Sequence, residues 1–394
     1  MNRSSDLAAA LAQLDREHLR RSRRTVDGFV EPGNRVNALV DGQPVIDFCS
    51  NDYLGLARHP AVAAAMAACA EQLGAGSGAS HLVTGHGAEH ARLEEELAAF
   101  TGRERAVLFS TGYMANLAVM TTLAGRGESV LLDRLSHASL IDGALLSGAR
   151  FKRYTHANAS ACESVLAGSE NNVAVVATDG VFSMDGDVGP LDSLARSCRT
   201  HDAWLVVDDA HGLGVIGATG RGAVEHFGLD ADAVPVLVGT LGKAFGSFGA
   251  FVAGSSELIE LLIQKARSYI YTTALPQPVA AATRKALDIA QRESWRRERL
   301  SALTARFRIA AEQLGITLMG TSPLTPIQPV IIGGAEAALS AQQQLLSAGY
   351  CVVAIRPPTV PQGSSRLRIT LSAAHSESQV DGLVDALSRV CASA

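Results

Sequence analysis

The sequence predicts an α/β protein with a large domain built on a mainly parallel sheet and a smaller α/β domain after it. Helical patterns and apolar strand patterns alternate from Asn51 to about Gly254, which favours parallel strands covered by helices on both faces. The candidate strands are short, rich in valine and without polar alternation, as strands buried on both faces are. A chain of 394 residues also has room for more than one domain.

The segment before this alternation is predicted to be a helix followed by a hairpin. Residues 6 to about 21 have helical periodicity, and this stretch ends in an arginine cluster of Arg20, Arg21, Arg23 and Arg24. In the stretch 35–48, two apolar runs flank Asp41-Gly42, a dipeptide that tolerates the positive φ angles of a tight hairpin turn. Residues 1–50 therefore form an N-terminal segment of their own.

The large domain is predicted to cover residues 51–278 and the small C-terminal domain residues 279–394. The boundary follows from a helical region, 256–314, that Pro276 and Pro278 interrupt. Strands are expected at 106–109, 129–132, 173–178, 204–208, 234–239 and 249–253, and in the small domain at 327–333, 350–355 and 366–371 before a closing helix. Functional side chains should lie where the parallel strands end.

Composition excludes several classes of protein. The formal net charge of −5 gives no overall attraction to nucleic acid or to an anionic membrane. The N-terminal residues lack the apolar run of a signal peptide, and the longest apolar stretch is too short to span a bilayer. Six cysteines without a C-x-x-C pair are typical of reduced thiols in a cytoplasmic protein.

Lys243 is the first candidate catalytic residue. It follows an apolar strand and lies among glycines at 239, 242, 246 and 249, so a large flat ligand could approach it closely. Desolvation there would supply the neutral amine that Schiff-base chemistry needs. A surface lysine in a flexible turn would have a similar local sequence, so the assignment depends on the other candidate residues.

Two adjacent carboxylates, Asp208 and Asp209, end another predicted strand and are followed by Ala210 and His211. Neighbouring side chains of a strand point to opposite faces, so only one of the two should meet a given ligand. A buried carboxylate there could keep a pyridine nitrogen protonated. A helix cap or a salt bridge is the structural alternative.

Several polar residues follow other predicted strands. The stretch 110–116, which includes Gly112 and Tyr113, links a strand to a helix, and the N–H groups of a helix N-terminus bind phosphate. Thr240 could add a hydroxyl to the same phosphate. His137 and Ser183 also follow strands, where groups from different strands converge, although a lone histidine is more often structural.

A competing pattern is His86-Gly87-Ala88-Glu89-His90, which has the H-x-x-E-H spacing of a zinc peptidase with Glu89 as the base. The predicted helix begins near Ala88, so His86 should lie outside it. Zinc is therefore not expected.

The chain resembles the α-oxoamine synthases, fold-type-I pyridoxal-phosphate transferases that condense an amino acid with an acyl thioester and release CO2. The matching blocks run from about Asn51 to His375: SNDYLGLARHP, GAGSGASHLVTG, FSTGYMAN, RLSHASL, GVFSMDGD, VDDAHGLGVIG, GTLGKAFG, YTTALP and AIRPPTVPQGSSRLRITLSAAH. Together they are far more specific than any one motif.

The resemblance implies a role for each matched residue. Lys243 would carry the cofactor as a Schiff base and act as the base, Asp208 would pair with the pyridine nitrogen, and His137 would stack on the ring. Ser183 and His211 would reach the 3′ oxygen of the ring. The resemblance also implies that the cofactor phosphate is bound by Gly112, Tyr113 and Thr240. The carboxylate of the amino acid would be bound by Arg356 and Asn51. Thr359 would lie along the substrate path, and Arg20 or Arg21 would bind the acyl substrate.

The last block is most similar to family members that join L-alanine to a pimeloyl thioester, on coenzyme A or on acyl carrier protein. Two alternatives remain. The chain could be a relative that uses glycine and another acyl-CoA, or a scaffold that keeps the fold without catalysis. The arginine cluster could also be a solvated helix face. Members of this family build the site at a dimer interface, so a homodimer is expected.

Overall fold

The computed structural model describes residues 3–169, 172–320 and 325–392. The chain divides into two compact units, one from the described residues of 1–51, 184–186 and 299–394 and the other from those of 52–183 and 187–298. The predicted domain limits were 1–50, 51–278 and 279–394, and this division into units differs from them. The domain limits themselves stay a prediction. Among the described residues, no helix is both long and apolar enough to cross a membrane.

The helices are α1 Arg3–Arg16, α2 Pro60–Leu73, α3 Ala88–Thr101, α4 Gly112–Leu123, α5 Ala138–Ser147, α6 Ala159–Ala167, α7 Leu191–Thr200, α8 Ala223–His226, α9 Ser256–Lys265, α10 Arg267–Ile270, α11 Gln277–Arg292, α12 Trp295–Gln313, α13 Ala335–Ser347 and α14 Glu377–Ala392, with a π-helical turn at His81–Gly85. The strands are β1 Val26–Phe29, β2 Asn37–Val40, β3 Gln43–Asp47, β4 Arg105–Phe109, β5 Ser129–Asp133, β6 Arg150–Tyr154, β7 Val173–Asp179, β8 Trp204–Asp208, β9 Val236–Thr240, β10 Ala250–Gly254, β11 Ile327–Gly333, β12 Tyr350–Cys351, β13 Val353–Ile355 and β14 Ser365–Thr370.

The unit of residues 52–183 and 187–298 is built on a seven-stranded sheet in the order β4-β10-β9-β8-β7-β5-β6. Strands β5 to β9 run parallel to one another, which confirms the mainly parallel sheet. β10 is an exception, because it runs antiparallel to both β4 and β9. The connection from β9 is too short for the helical crossover that a parallel neighbour needs.

The register of this sheet aligns the strand ends that carry the candidate residues. Phe109 of β4 and Thr240 of β9 both lie opposite Ala250 of β10. Asp208 lies opposite Asp179 of β7. The carboxyl ends of β4, β9, β8 and β7 therefore share one edge of the sheet.

The core of this unit explains why the strands read as apolar runs. Leu132, Val175 and Val206 of three successive strands are fully buried and pack with Leu140 of α5 and Val119 of α4. Burying a side chain of this size stabilises the fold by about 1.5–3 kcal/mol. Sequence reasoning missed β6, a mostly exposed edge strand with three basic residues.

The other unit contains the sheets β1-β2-β3-β12 and β11-β14-β13. The predicted hairpin is confirmed, with φ angles of 48° at Asp41 and 76° at Gly42. The single strand predicted at 350–355 is wrong, because β12 pairs in parallel with β3 while β13 pairs with β14.

The first helix ends at Arg16 rather than at residue 21. His18 adopts a φ of 55°, and Leu14 O accepts hydrogen bonds from the N–H groups of Leu19 and Arg20. This turn redirects the chain, so the arginines after it do not lie on a helix. The solvated-helix-face interpretation of the cluster is therefore wrong.

Candidate active site

Lys243 lies at the carboxyl edge of the large sheet, three residues beyond the end of β9. Its Nζ is 2.7 Å from His211 Nε2, and His211 Nδ1 is 2.6 Å from the hydroxyl of Tyr53. Tyr53 is fully buried and His211 nearly so. The imidazole therefore links the lysine amine to a buried phenol, an arrangement in which a proton can move between neighbouring groups.

Asp208 ends β8 and is buried. Its Oδ2 accepts a 2.6 Å hydrogen bond from Asn116 Nδ2, and its Oδ1 accepts one from Ala210 N at 3.1 Å. Asn116 of α4 also donates to Ser139 Oγ at 2.8 Å. Two helices thus fix the orientation of the carboxylate through neutral groups.

Asp209 points the other way, as strand alternation predicts. It is fully buried, and its Oδ2 accepts a 2.7 Å hydrogen bond from Ala223 N at the start of α8. A Cβ added to Gly180, Gly212 or Gly222 would overlap its carboxyl group, so three backbone segments pack closely around it. Burial raises the pKa of Asp209 well above its ordinary value. Its role is to shape these loops.

His137 caps the N-terminus of α5, where its Nδ1 accepts from Ser139 N at 3.3 Å and lies 2.7 Å from Ser139 Oγ. Its own N–H donates to Asp179 Oδ2 at 3.0 Å. Burial lowers the pKa of His137. The ring is therefore held as a neutral imidazole, and its stacking on a cofactor stays a prediction.

The first turn of α4 offers an anion site. Thr111 caps the helix by accepting from Met114 N at 3.2 Å, while the N–H groups of Gly112 and Tyr113 precede any intrahelical acceptor. A Cβ on Gly112 would meet no atom within 4 Å. Ala250 of β10 lies between the end of β4 and Thr240 at the end of β9. These two strand ends are therefore separated by two strand spacings, about 10 Å.

Ser183 follows β7 and is half-buried. Its contact with a cofactor oxygen stays a prediction. The loop that carries it continues to Asp187, which has a partner that sequence reasoning missed.

That partner is His156, whose imidazole bridges two carboxylates. Nδ1 lies 2.9 Å from Asp133 Oδ1 and Nε2 lies 2.7 Å from Asp187 Oδ2. Burial disfavours the charged ring, but the two carboxylates outweigh it and raise the pKa of His156 to about 9. The imidazolium therefore ties the loop after β5, which leads to His137, to the loop after β7.

We expect this bridge to make stability depend on alkaline pH. Because the pKa of His156 is raised in the folded protein, the bridge contributes its full stabilisation below the pKa of the unfolded chain, about 6.5. This stabilisation is lost as the pH rises through about 9. His156→Gln should have a lower Tm than the parent protein at about pH 7, and the difference should shrink at about pH 10. Thermal unfolding across this range measures it, and a difference independent of pH would show that the ring is not charged.

The residues of the zinc-peptidase pattern do not share one helix. α3 begins at Ala88, as predicted, so His86 lies outside the helix. Glu89 is paired with Arg92 and Arg284, and His90 Nε2 lies 2.7 Å from the Leu275 carbonyl. The carboxylate and imidazole that the peptidase mechanism needs therefore have other partners.

The unit of residues 1–51, 184–186 and 299–394 contains the predicted substrate residues. A cavity of about 520 Å³ there is lined by Arg20, Arg21, Arg356 and Thr359, among others. Arg21 Nη2 is 3.4 Å from Thr359 Oγ1, whereas Arg20 is paired with Asp15 at 2.7 Å. Of the two arginines left open by the sequence, the guanidinium of Arg21 is therefore the one held against this wall.

Arg356 directly follows β13. It donates to the carbonyl of His18 and lies 3.5 Å from that of Arg20, and its Nε is buried without a partner. Among the described residues it takes part in no ion pair, so the domain-bridging salt bridge is not observed. Burial, and secondly the charge of Arg21, lower its pKa.

Asn51 does not line this cavity. Its Oδ1 accepts from Arg368 Nη2 at 3.2 Å, and Arg368, buried on β14, also donates to Thr370 Oγ1. Sequence reasoning grouped Asn51 with Arg356 and missed Arg368. An arginine on a strand between apolar residues was the available signal.

Comparison with known proteins defines the class. The family profile described as aminotransferase class I and II matches residues 43–387. The serine palmitoyltransferase of S. paucimobilis, solved with a bound PLP–myriocin adduct, has a similar fold with a TM-score of 0.92 and 30% identity, covering 98% of this chain and 97% of that one.

Two further comparisons define the group within the class. The 8-amino-7-oxononanoate synthase of Methylococcus capsulatus is 60% identical over 382 residues, 97% of each chain. The solved 8-amino-7-oxononanoate synthase of Francisella tularensis matches with a TM-score of 0.77 and 32% identity, covering 88% of this chain and 97% of that one. The chain belongs to the class I and II aminotransferase family and, within it, to the 8-amino-7-oxononanoate synthases. The fold class and family predicted from the sequence are confirmed.

Proposed function

We propose that this chain joins L-alanine to a pimeloyl thioester, carried by coenzyme A or by acyl carrier protein, and releases 8-amino-7-oxononanoate, CO2 and the free thiol, a step of biotin biosynthesis. The 60% identity to a synthase of that name supports the reaction. The observation that carries it is the pairing of Lys243 Nζ with His211 Nε2 at 2.7 Å, at the ends of adjacent strands, beside the buried Asp208.

Pyridoxal phosphate is the cofactor, and the chain's own groups fit it. Lys243 offers the amine, Asp208 a buried carboxylate oriented by Asn116, and the first turn of α4 an anion site with open space at Gly112. Asn116 Oδ1, buried without a partner, is a further acceptor beside the carboxylate. When bound, the cofactor supplies an aldehyde carbon to which an amine can bond and a ring that takes up the electron pair released at the amino-acid Cα.

The remaining residues position the cofactor. Gly112, Tyr113 and Thr240 would hold its phosphate, His137 would lie against the ring, and Ser183 would reach the 3′ oxygen with His211. A neutral His137 can lie over a cationic ring without charge repulsion, which the lowered pKa supports.

Proton transfer falls to Lys243. Its Nζ would take the proton from the Cα of bound alanine. His211 Nε2, backed by the Tyr53 hydroxyl, can relay a proton to or from that amine. Asp208 would hold a proton on the ring nitrogen of the cofactor. The same lysine would also deliver the proton that completes the product.

Arg356 and Asn51 would bind the alanine carboxylate, Thr359 would lie along the substrate path, and Arg20 or Arg21 would meet the acyl substrate. A planar guanidinium binds a carboxylate through two parallel hydrogen bonds that lysine cannot copy.

We expect Arg356→Lys to weaken alanine binding by on the order of 1.5–3 kcal/mol, the scale of a hydrogen bond to a charged group. Alanine titrated into the holoenzyme while the cofactor absorbance is followed measures this. Arg35→Lys, a change in the same cavity wall, is the matched control and should leave the affinity nearly unchanged. An unaltered affinity in Arg356→Lys, with a lowered Tm, would assign Arg356 a structural role instead.

The protein acts as a homodimer in the cytoplasm. Leu82, Val83, Phe248 and Tyr271 are exposed apolar side chains, which a subunit interface would cover. Free cysteines at all six positions fit a reducing compartment. Sedimentation of the holoenzyme tests the dimer.

A substrate matrix tests the reaction. Alanine, glycine and serine are each paired with pimeloyl-CoA, pimeloyl carrier protein and palmitoyl-CoA, and products are identified by mass. Alanine with a pimeloyl donor should have the highest kcat/KM. Preference for glycine, or for serine with palmitoyl-CoA, would assign the chain to a different reaction of the same kind.

A further inference from the structure

Two of the six free cysteines are neighbours. Cys49 Sγ and Cys351 Sγ are 3.8 Å apart, and Cys49 Sγ lies 3.2 Å from the Cys351 carbonyl oxygen. The pairing of β3 with β12 places Cys351 beside Asp47, and Phe48 N donates to Cys351 O at 2.9 Å. Residues 302 apart in sequence are thus brought together by a strand pair rather than by chance contact of loops.

Both thiols line the arginine-rich cavity described above. Arg24 Nη1 lies 3.8 Å from Cys351 Sγ, and Asp47 Oδ1 accepts from Cys49 N at 2.8 Å. The interaction with Cys49, assisted by the positive charge of Arg24, lowers the pKa of Cys351 despite burial. The same interaction and burial raise the pKa of Cys49. Because the Arg24 guanidinium lies beside Cys351 Sγ, we expect Cys351 to be the thiol that ionises first.

Three of the other four cysteines, Cys162, Cys198 and Cys391, contrast with this pair. Burial raises the pKa of Cys162 to about 12 and that of Cys198 further still. Cys391 is half-buried in α14, and burial raises its pKa as well. A thiolate is the nucleophile in disulfide exchange, so these three thiols should react slowly.

We propose that Cys49 and Cys351 are a redox-active dithiol that closes to an intramolecular disulfide on reaction with a small disulfide oxidant such as oxidised glutathione. The Cys351 thiolate attacks one sulfur of the oxidant, forming a mixed disulfide and releasing one thiolate of glutathione. Cys49 then loses its proton to solvent and attacks Cys351 Sγ, which releases the second glutathione thiolate. Two protein thiols are oxidised and one oxidant disulfide is reduced to two thiols.

Closure requires the two sulfurs to move from 3.8 Å to about 2 Å. Cys351 immediately precedes the segment Val352 to Ile355 that leads to Arg356. The same bond removes from the cavity wall the ionisable thiol that lies 3.8 Å from Arg24 Nη1. We therefore expect the disulfide to raise the KM for alanine, a consequence that rests on the proposed function, whereas disulfide formation itself does not.

Thiol titration of the full-length protein tests the proposal. After incubation in glutathione buffers of increasing oxidant fraction and an acid quench, the titre under denaturing conditions should fall from six free thiols to four. Intact mass should show the loss of two hydrogens without bound glutathione. Peptide mapping should find Cys49 joined to Cys351, and a linkage between other cysteines, or none, would overturn the proposal.

Single variants separate the two steps. Cys49→Ser should stop at a stable glutathione adduct on Cys351, while the matched control Cys391→Ser should still close the disulfide. Absence of an adduct in a Cys49→Ser protein with the parent's circular dichroism spectrum would overturn the order of attack. If that variant does not fold, the peptide map of the parent protein decides alone.

The alanine KM of the oxidised and re-reduced enzyme tests the consequence. A reversible rise supports it. A disulfide that leaves KM unchanged would overturn the effect on the cavity, and an enzyme inactive in both states would count against the proposed function rather than against the dithiol.

Discussion

Lys243→Ala should abolish condensation and leave no covalent link between chain and cofactor. The lysine is both the attachment point and the group that moves the Cα proton, so we expect turnover to fall by on the order of 10⁴-fold, the upper end for a positioned proton-transfer group. The fold should persist, because the Lys243 side chain is only half-buried and is not part of a hydrophobic core. Far-ultraviolet circular dichroism checks that point.

Borohydride reduction followed by peptide mapping makes the assignment specific. The parent protein should carry the reduced cofactor on the peptide that contains Lys243, and Lys243→Ala should carry none. Lys285→Ala, a change of a partly exposed helix lysine paired with Asp288, is the control and should behave like the parent. A label on any other lysine would contradict the site.

Asp208→Asn should keep the cofactor yet lose most activity. The amide oxygen can still accept a hydrogen bond from Asn116 Nδ2 or from Ala210 N, but the amide cannot hold a proton on the ring nitrogen, so we expect kcat to fall on the order of 10²–10³-fold, the scale of one preorganised electrostatic contact. Asp209→Asn should keep most of its kcat and instead lower the free energy of unfolding by about 1 kcal/mol, because its bond to Ala223 N shapes the loops.

Comparison of the two variants is decisive because the two residues are neighbours in sequence and undergo the same chemical change. Steady-state kcat and urea unfolding are measured on both. Equal losses of kcat, or a larger loss in Asp209→Asn, would mean that the wrong face of β8 was assigned to the cofactor.

The sequence was informative where a local pattern determines structure. Valine-rich runs predicted the central strands, Asp41-Gly42 predicted the hairpin turn, and Lys243, Asp208 and His211 were found because each follows such a run. The end of α1 was missed because His18, rather than a glycine, takes the positive φ that follows the helix.

The unpredicted parts of the site depend on contacts between distant residues. Tyr53 and His156 matter through partners far along the chain, and no local pattern distinguishes them from core residues. Asn116 left a weak signal, a buried amide in an apolar helix, but its bond to Asp208 requires the packed fold. The direction of β10 depends on the length of a connection rather than on its residue types.

The central claim is a decarboxylative condensation at one site, and carboxyl-labelled alanine tests it most directly. Holoenzyme is supplied with this alanine and pimeloyl-CoA, and the label is followed in CO2 and in the product. We predict one labelled CO2 for each 8-amino-7-oxononanoate formed and no label in that product. Label retained in a condensation product, or CO2 released without the thioester, would contradict the account.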